Sequence, residues 1–79
     1  MDEKFEQIRL IAADVLEVEP EEIVDDVDFA TQCDVDSMRA IEILSRIEKK
    51  FQIEIPQREL PNMQSVKATY DVVLRYSGG

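Results

Sequence analysis

The stretch Val35-Asp36-Ser37-Met38-Arg39-Ala40-Ile41-Glu42-Ile43-Leu44 decides the fold, because an irregular acidic segment gives way within it to a helical pattern. Asp36 suits the N-cap position, since its carboxylate can accept hydrogen bonds from backbone N–H groups one turn further on. Ser37 then stands at the first helical position with its hydroxyl exposed. Apolar residues recur at helical spacing as far as Phe51, which predicts a helix over residues 37–51. Its apolar stripe consists of Met38, Ile41, Leu44, Ile47 and Phe51.

Similar patterns predict further helices on both sides of this one. Apolar residues at helical spacing predict a first helix over about residues 3–17, and Ser65 is a suitable N-cap for a last helix over 65–76. A short helical turn is predicted over 57–61, and residues 77–79 form a tail. Because no two segments can pair as strands, we predict an all-α fold. Its architecture is a small antiparallel four-helix bundle of three main helices and one short helix.

A long loop separates the first two main helices, over residues 18–36, where the apolar residues have no clear period. Pro20 can open a single helical turn, because proline is favoured at the first helical position. A structureless loop of this length is unusual in a compact domain unless it is functional or is held by apolar anchors. We expect Phe29 to be the main anchor, within a single domain that spans residues 1–79.

The residues that most catalytic and metal sites need are missing. The chain has no histidine and a single cysteine, Cys33, so a Cys–His or Ser–His catalytic pair is excluded. Its glycines stand only at the C-terminus, which excludes a Gly-rich phosphate-binding loop. The acidic run Asp25-Asp26-Val27-Asp28 lacks the central Gly and the late Glu of a calcium loop. We therefore predict a protein that is not an enzyme, with no catalytic residue and no metal site.

The net charge of −9 is unevenly distributed. Residues 1–36 carry 13 acidic and two basic side chains, whereas residues 37–79 carry five acidic and seven basic ones. An acidic face repels nucleic acid and anionic lipid and attracts basic protein surfaces, although acidity also simply keeps a small domain soluble. With no membrane-length apolar run and no leader pattern, we expect a cytoplasmic monomer that binds neither nucleic acid nor membranes.

Several features in a fixed order resemble the acyl carrier protein family. Asp36-Ser37-Met38 is similar to the Asp-Ser-Leu attachment motif of that family, and it follows a long acidic loop with a Phe anchor. Glu42, Glu48 and Phe51 come next, and then Ile53-Glu54-Ile55-Pro56 and a final short helix. The resemblance covers the chain from about Phe5 to Tyr76.

The resemblance implies a function and a set of site residues. In this family a serine receives 4′-phosphopantetheine from coenzyme A, and the thiol of that arm holds acyl groups as thioesters. Ser37 would be the attachment site, and Asp36 would help a phosphopantetheinyl transferase to engage it. Met38, in the place of the family's leucine, would pack into the core and touch partners. The implied partners are that transferase and acyl-loading, acyl-transfer or condensing enzymes, and the implied partner-binding residues are Met38, Arg39, Ile41, Glu42 and Glu48.

The chain also departs from the family pattern. Gln32-Cys33-Asp34-Val35 lacks the usual glycine, so we expect Asp34 to take the turn conformation and Cys33 to replace a buried leucine. The helix after Ser37 is not uniformly acidic, and Arg39 is expected to pair with Asp36 or Glu42 or to select partners.

These departures favour a specialised fatty acid, lipid or polyketide-type pathway over housekeeping fatty acid synthesis. Two alternatives stay open: an aminoacyl or peptidyl carrier, including D-alanyl carriers, and a non-enzymatic acidic helical binding module.

Overall fold

The computed structural model describes residues 3–32 and 35–77, apart from the side chain of Gln32. Within them every regular secondary-structure element is a helix, as predicted. Three long α-helices and one short one are joined by segments that contain two 3₁₀ turns, η1 and η2. In chain order the elements are α1 (Glu3–Leu16), η1 (Pro20–Glu22), α2 (Phe29–Gln32), α3 (Ser37–Phe51), η2 (Gln57–Asn62) and α4 (Val66–Tyr76).

The first helix occupies the middle of the structure. α1 packs against both α3 and α4, whereas η2 contacts α3 and α4 from the other side. Among the described elements α3 and α4 do not pack directly on each other, so η2 fills the space between them. The core lies where these elements meet, and its fully buried members include Ile8, Ala12, Ile47, Val66, Thr69 and Val73.

The predicted helix bounds agree with the structure to within one residue. The helix over residues 37–51 is confirmed, α1 ends one residue earlier than expected, and α4 begins directly after its N-cap Ser65. The short turn predicted over 57–61 is a 3₁₀ segment that continues through Pro61 to Asn62. Proline is compatible with a 3₁₀ segment, because such a segment has no i→i−4 hydrogen bonds for proline to break.

The apolar stripe of α3 is rotated relative to the prediction. Met38 is 77% exposed and Ile41 is 39% exposed, while Ile43 is buried together with Leu44 and Ile47. The expectation that Met38 packs into the core is therefore wrong. Met38 and Ile41 lie on the side of α3 that faces away from the buried Ile43, Leu44 and Ile47.

The loop between α1 and α3 is held by tertiary contacts. The turn predicted at Pro20 is confirmed as η1, and Phe29 is a buried anchor as expected. The short helix α2 was not predicted, because its four residues have too little length to show a helical period. The backbone N–H of Phe29 donates to the carbonyl of Gln64 at 2.6 Å, which joins α2 to the segment before α4.

An ion pair fixes the middle of this loop to α1. The Arg9 guanidinium donates to the Ile23 carbonyl at 3.2 Å and lies 2.6 and 2.7 Å from the two carboxylate oxygens of Asp25. The Asp25 carbonyl in turn accepts from the backbone N–H of Lys67 in α4 at 3.0 Å. Arg9 thus holds the loop against α1, and Asp25 joins the same part of the loop to α4 through its carbonyl.

We expect Arg9→Gln to lower the free energy of unfolding by about 1–3 kcal/mol, because it leaves a partly buried carboxylate and a carbonyl without their donor. Urea unfolding followed by circular dichroism measures this loss. Arg58→Gln is the matched control, because Arg58 is an exposed arginine on η2, and its effect should stay within about 0.5 kcal/mol. Equal effects of the two substitutions would contradict the role assigned to Arg9.

Candidate functional site

The hydroxyl of Ser37 stands at the first residue of α3, on the surface. Asp36 is the N-cap, as predicted, and its Oδ1 accepts from the backbone N–H of Arg39 at 2.9 Å. Because Asp36 fills the capping role, the Ser37 hydroxyl is not needed to cap the helix. The positive end of the helix and its remaining N–H groups lie beside this hydroxyl, an environment that suits a negatively charged phosphodiester.

Two apolar side chains of α3 face solvent near this serine. Met38 and Ile41 are three residues apart and therefore lie on neighbouring positions of one helix face. Glu42 is exposed on the next position. The fifth predicted partner residue, Glu48, has a structural contact, because its Oε2 accepts from the backbone N–H of Ile55 at 2.8 Å. This bond fixes the extended connector after α3.

The pairing expected for the Arg39 side chain is wrong. Its guanidinium does not bind the side chain of Asp36 or Glu42 but donates to the Val15 carbonyl and to Glu17 Oε2, the latter at 3.2 Å. Val15 lies in the last turn of α1, where carbonyl groups have no helical partner and the helix dipole is negative. Arg39 therefore caps the C-terminal end of α1 across the interface.

A second arginine of α3 also turns towards α1. Arg46 forms ion pairs with Asp14 and, at 3.0 Å, with Glu42, which stands four residues before it on the same helix. The hydrogen bond that Arg46 donates to Asp14 is the main cause that raises the pKa of the Arg46 guanidinium. The two arginines that make α3 unusual are thus largely neutralised by carboxylates within the chain.

Four of the predicted site residues border one surface groove of about 400 Å³, between the end of α1 and the start of α3. They are Asp36, Met38, Arg39 and Glu42, and the other lining residues are Asp14, Val15 and Glu17. Ser37 borders a different cavity, and Ile41 and Glu48 border neither of them. Asp36 borders both cavities, so the serine lies next to the polar groove as well as on the second cavity.

The cavity beside Ser37 is a mostly apolar cleft of about 370 Å³. It lies between α3, α2 and η2, and the segments just before α3 and α4 also contribute to its lining. The Ser37 residue itself forms part of its rim, so a group attached there has direct access to the cleft. The lining residues are Phe29, Ala30, Val35, Asp36, Ser37, Ala40, Ile43, Leu60, Pro61, Met63 and Gln64.

A buried carboxylate stands behind this cleft, and sequence reasoning missed it. Glu59 is only 7% exposed, although it looks like an ordinary surface acid in the sequence. It accepts from the Tyr76 hydroxyl at 2.5 Å and from Asn62 Nδ2 at 3.0 Å, and Arg75 lies 3.5 Å away. No local pattern could have shown this cluster, because Tyr76 and Arg75 lie 16 to 17 residues further along the chain.

The predictions for Cys33 and Asp34 lie outside the described residues. Within residues 3–32 and 35–77, no group of three or more acidic or cysteine side chains is placed to hold a metal ion. No helix in the same part of the chain is long and apolar enough to cross a membrane.

Comparison with known proteins identifies the family. Residues 6–73 match the family model described as "Phosphopantetheine attachment site". The chain is also 40% identical over 68 residues to polyketide-8 synthase acyl carrier protein 2 of Streptomyces avermitilis, an alignment that covers 86% of this chain and 78% of that protein. The chain belongs to the acyl carrier protein family. The resemblance predicted from Asp36-Ser37-Met38 is thereby confirmed.

Further comparisons agree with this assignment. Polyketide-8 synthase acyl carrier protein 1 of the same organism is 38% identical over 86% of this carrier and 81% of its own length. An acyl carrier protein of Thermosynechococcus vestitus is 32% identical over 90% and 88%. A chain of the solved structure named "The ishigamide ketosynthase/chain length factor" superposes with a TM-score of 0.84 at 32% identity, over the full length of both chains.

Membership of this family defines the general activity of the chain. It is a non-enzymatic carrier with a covalently attached 4′-phosphopantetheine group, and it interacts with synthase and transferase enzymes. The described residues fit such a group. An exposed hydroxyl lies at the positive end of a helix, and an apolar cleft opens beside it.

We expect the stability contributed by the Glu59–Tyr76 bond to depend on pH. This bond lowers the pKa of Glu59 below its ordinary value of 4.5 and raises the pKa of Tyr76 above its ordinary value of 10.0. The stability that Glu59 contributes is therefore complete above pH 4.5, and it is lost as the pH falls through the folded-state pKa of Glu59. The stability that Tyr76 contributes is complete below pH 10.0, and it is lost as the pH rises through the folded-state pKa of Tyr76.

The measurement is the difference in free energy of unfolding between the parent protein and Tyr76→Phe, taken across both pH ranges. Other titrating groups are common to the two proteins and cancel in the difference. The advantage of the parent should shrink towards acid and again towards alkali. A difference that stays constant in both directions would show that the bond does not link these two titrations.

Proposed function

We propose that Ser37 is the attachment residue and that this chain carries acyl intermediates as thioesters in a polyketide-type pathway. The observation that carries the proposal is the position of the Ser37 hydroxyl. It is exposed at the start of α3, next to a capping Asp36 and at the rim of an apolar cleft. The phosphopantetheine group supplies a flexible arm and a thiol, and thioester carriage is the chemistry of that group rather than of protein side chains.

The chain's own residues position the arm and its cargo. Asp36 fixes the first turn of α3, so the Ser37 hydroxyl and the helix N–H groups keep one relative orientation. The positive helix end stabilises the phosphodiester. The cleft between Ala40 and Leu60 offers apolar surface to the part of the arm or cargo that folds back, which removes that surface from water.

The partners we propose are a phosphopantetheinyl transferase and the acyl-loading, acyl-transfer or condensing enzymes of a polyketide-type synthase. Two relatives at 40% and 38% identity bear polyketide synthase names, which supports this pathway class. The surface we propose for docking consists of Met38, Ile41 and Glu42, directly beside Ser37. Met38 is its best candidate for a central contact, because a side chain that is 77% exposed can be buried completely by a partner.

Arg39 and Glu48 are less available for docking than the sequence suggested. The Arg39 side chain is engaged at the end of α1, and the Glu48 carboxylate is engaged by the backbone of Ile55. A cytoplasmic location, a monomeric state and a single domain over residues 1–79 stay predictions.

The decisive experiment is intact mass measurement after incubation with coenzyme A, magnesium and a broad-specificity phosphopantetheinyl transferase. We expect the parent to gain one phosphopantetheine and Ser37→Ala to gain none. Ser45→Ala is the matched control, because Ser45 is an exposed serine on the same helix, and it should be modified like the parent. Modification of Ser37→Ala would disprove the proposed attachment site.

The loaded carrier then distinguishes between cargo classes. A polyketide-type ketosynthase and a malonyl transferase should use it efficiently, whereas adenylating enzymes for amino acids should not load it. Efficient aminoacylation would establish the aminoacyl or peptidyl carrier instead. A parent protein that starts without the arm and also accepts none would favour the acidic binding module instead.

We expect substitutions of Asp36 to separate helix capping from transferase engagement. Asn is as good an N-cap as Asp, whereas Ala costs about 1 kcal/mol. Asp36→Asn should therefore keep nearly the parent's thermal midpoint but be modified more slowly, because it lacks the carboxylate charge. Asp36→Ala should lose stability as well. Calorimetry and the initial rate of mass gain measure the two effects, and an unchanged rate for Asp36→Asn would contradict a direct role of the carboxylate.

A further inference from the structure

One wall of the cleft beside Ser37 is anchored at both of its ends to α4. This wall, called the cleft wall here, consists of Leu60, Pro61 and Met63. At one end, Glu59 accepts the hydrogen bond of the Tyr76 hydroxyl at 2.5 Å. At the other end, the Met63 carbonyl accepts from the buried Thr69 hydroxyl at 3.2 Å.

The two anchors add to apolar contacts that hold only part of the cleft wall. η2 contacts both α3 and α4. Met63 is buried in the core and Leu60 packs against it, whereas Pro61 is exposed. The directional bonds of Glu59 therefore give a polar anchor to the part of the wall that burial holds least.

The Glu59 cluster is suited to a holding function. The Tyr76 hydroxyl donates to one carboxylate oxygen, while Asn62 and Arg75 approach the other. Hydrogen bonds to a charged acceptor are about twice as strong as those between neutral groups. The bond between Glu59 and Tyr76 joins the middle of η2 to the last turn of α4 and adds to the contacts that these two elements already make.

We propose that the Glu59–Tyr76 hydrogen bond acts as a latch that holds the cleft wall in place and so determines how well an apolar acyl chain on Ser37 is sheltered from solvent. This inference rests on the proposed attachment of the cargo at Ser37. The cargo class it concerns is a medium-length apolar acyl chain, which can reach the cleft and fill it. An acetyl group offers too little apolar surface to be held there, so its exposure does not depend on the latch. Glu59 and Tyr76 are positioning residues, since they act through Leu60 and Pro61.

The test measures how fast hydroxylamine cleaves the thioester in the complete, phosphopantetheine-bearing carrier. Parent and Tyr76→Phe proteins are loaded with either an octanoyl or an acetyl group. Tyr76→Phe removes the hydroxyl and keeps the ring, so the packing of α4 is preserved. We expect octanoyl cleavage to be roughly threefold to tenfold faster in Tyr76→Phe, the net effect of losing one hydrogen bond of ordinary strength, because Asn62 and Arg75 still hold the Glu59 carboxylate. Acetyl cleavage should be the same in both proteins.

Ala13→Gly serves as the control for a general loss of stability. Ala13 is buried in α1 and does not line the cleft, and glycine at a helical position lowers stability without touching the latch. Its cleavage rates should match those of the parent for both cargoes. Methyl NMR of Met63 provides a second readout, because its signal should shift on octanoylation of the parent and shift less in Tyr76→Phe.

Three outcomes would overturn the latch. They are equal octanoyl cleavage in parent and Tyr76→Phe, equal acceleration in Ala13→Gly and Tyr76→Phe, and equal cleavage of octanoyl and acetyl groups in the parent. Intact mass is measured before acylation, so a failure to attach the arm at Ser37 is recognised separately as a failure of the proposed function.

Discussion

The packing of α1 against both α3 and α4, which do not pack on each other, is the constraint on which the rest of the structure depends. The buried face of α1 includes Ile8, Ala12 and Val15, and it gives both later helices their apolar contact. η2 contacts both α3 and α4, and the cleft at Ser37 lies where η2 faces α3 and α2.

The same constraint explains the unusual charges of α3. A helix that carries Arg39 and Arg46 suggests a basic surface when its sequence is considered alone. In the folded chain both guanidinium groups lie against the acidic end of α1, where they meet Asp14, Glu17 and a terminal carbonyl. What remains exposed beside Ser37 is mainly the apolar Met38 and Ile41. A carrier with this surface can bind its partners through apolar contact and shape as well as through charge.

The long helices were predictable from the sequence because their signals are local. The spacing of apolar residues identifies α1, α3 and α4, and Asp36 and Ser65 mark two of their beginnings through side-chain capping. The prediction was poorer where helices are short or half-exposed. α2 is held by a backbone bond to Gln64, and the exposure of Met38 depends on which face of α3 is buried, so neither could be read from periodicity alone.

The sequence by itself determined the fold class, the bounds of the long helices and the family, since hydrophobic period, caps and the Asp36-Ser37-Met38 motif are properties of neighbouring residues. Only the tertiary structure decided which side chains are available for binding. In the folded chain the Arg39 guanidinium binds the end of α1, the Glu48 carboxylate accepts from the backbone of Ile55, and Glu59 is buried beside the cleft wall. The physical reason is that hydrogen bonds and burial between distant residues depend on how whole elements are placed, which no local pattern encodes.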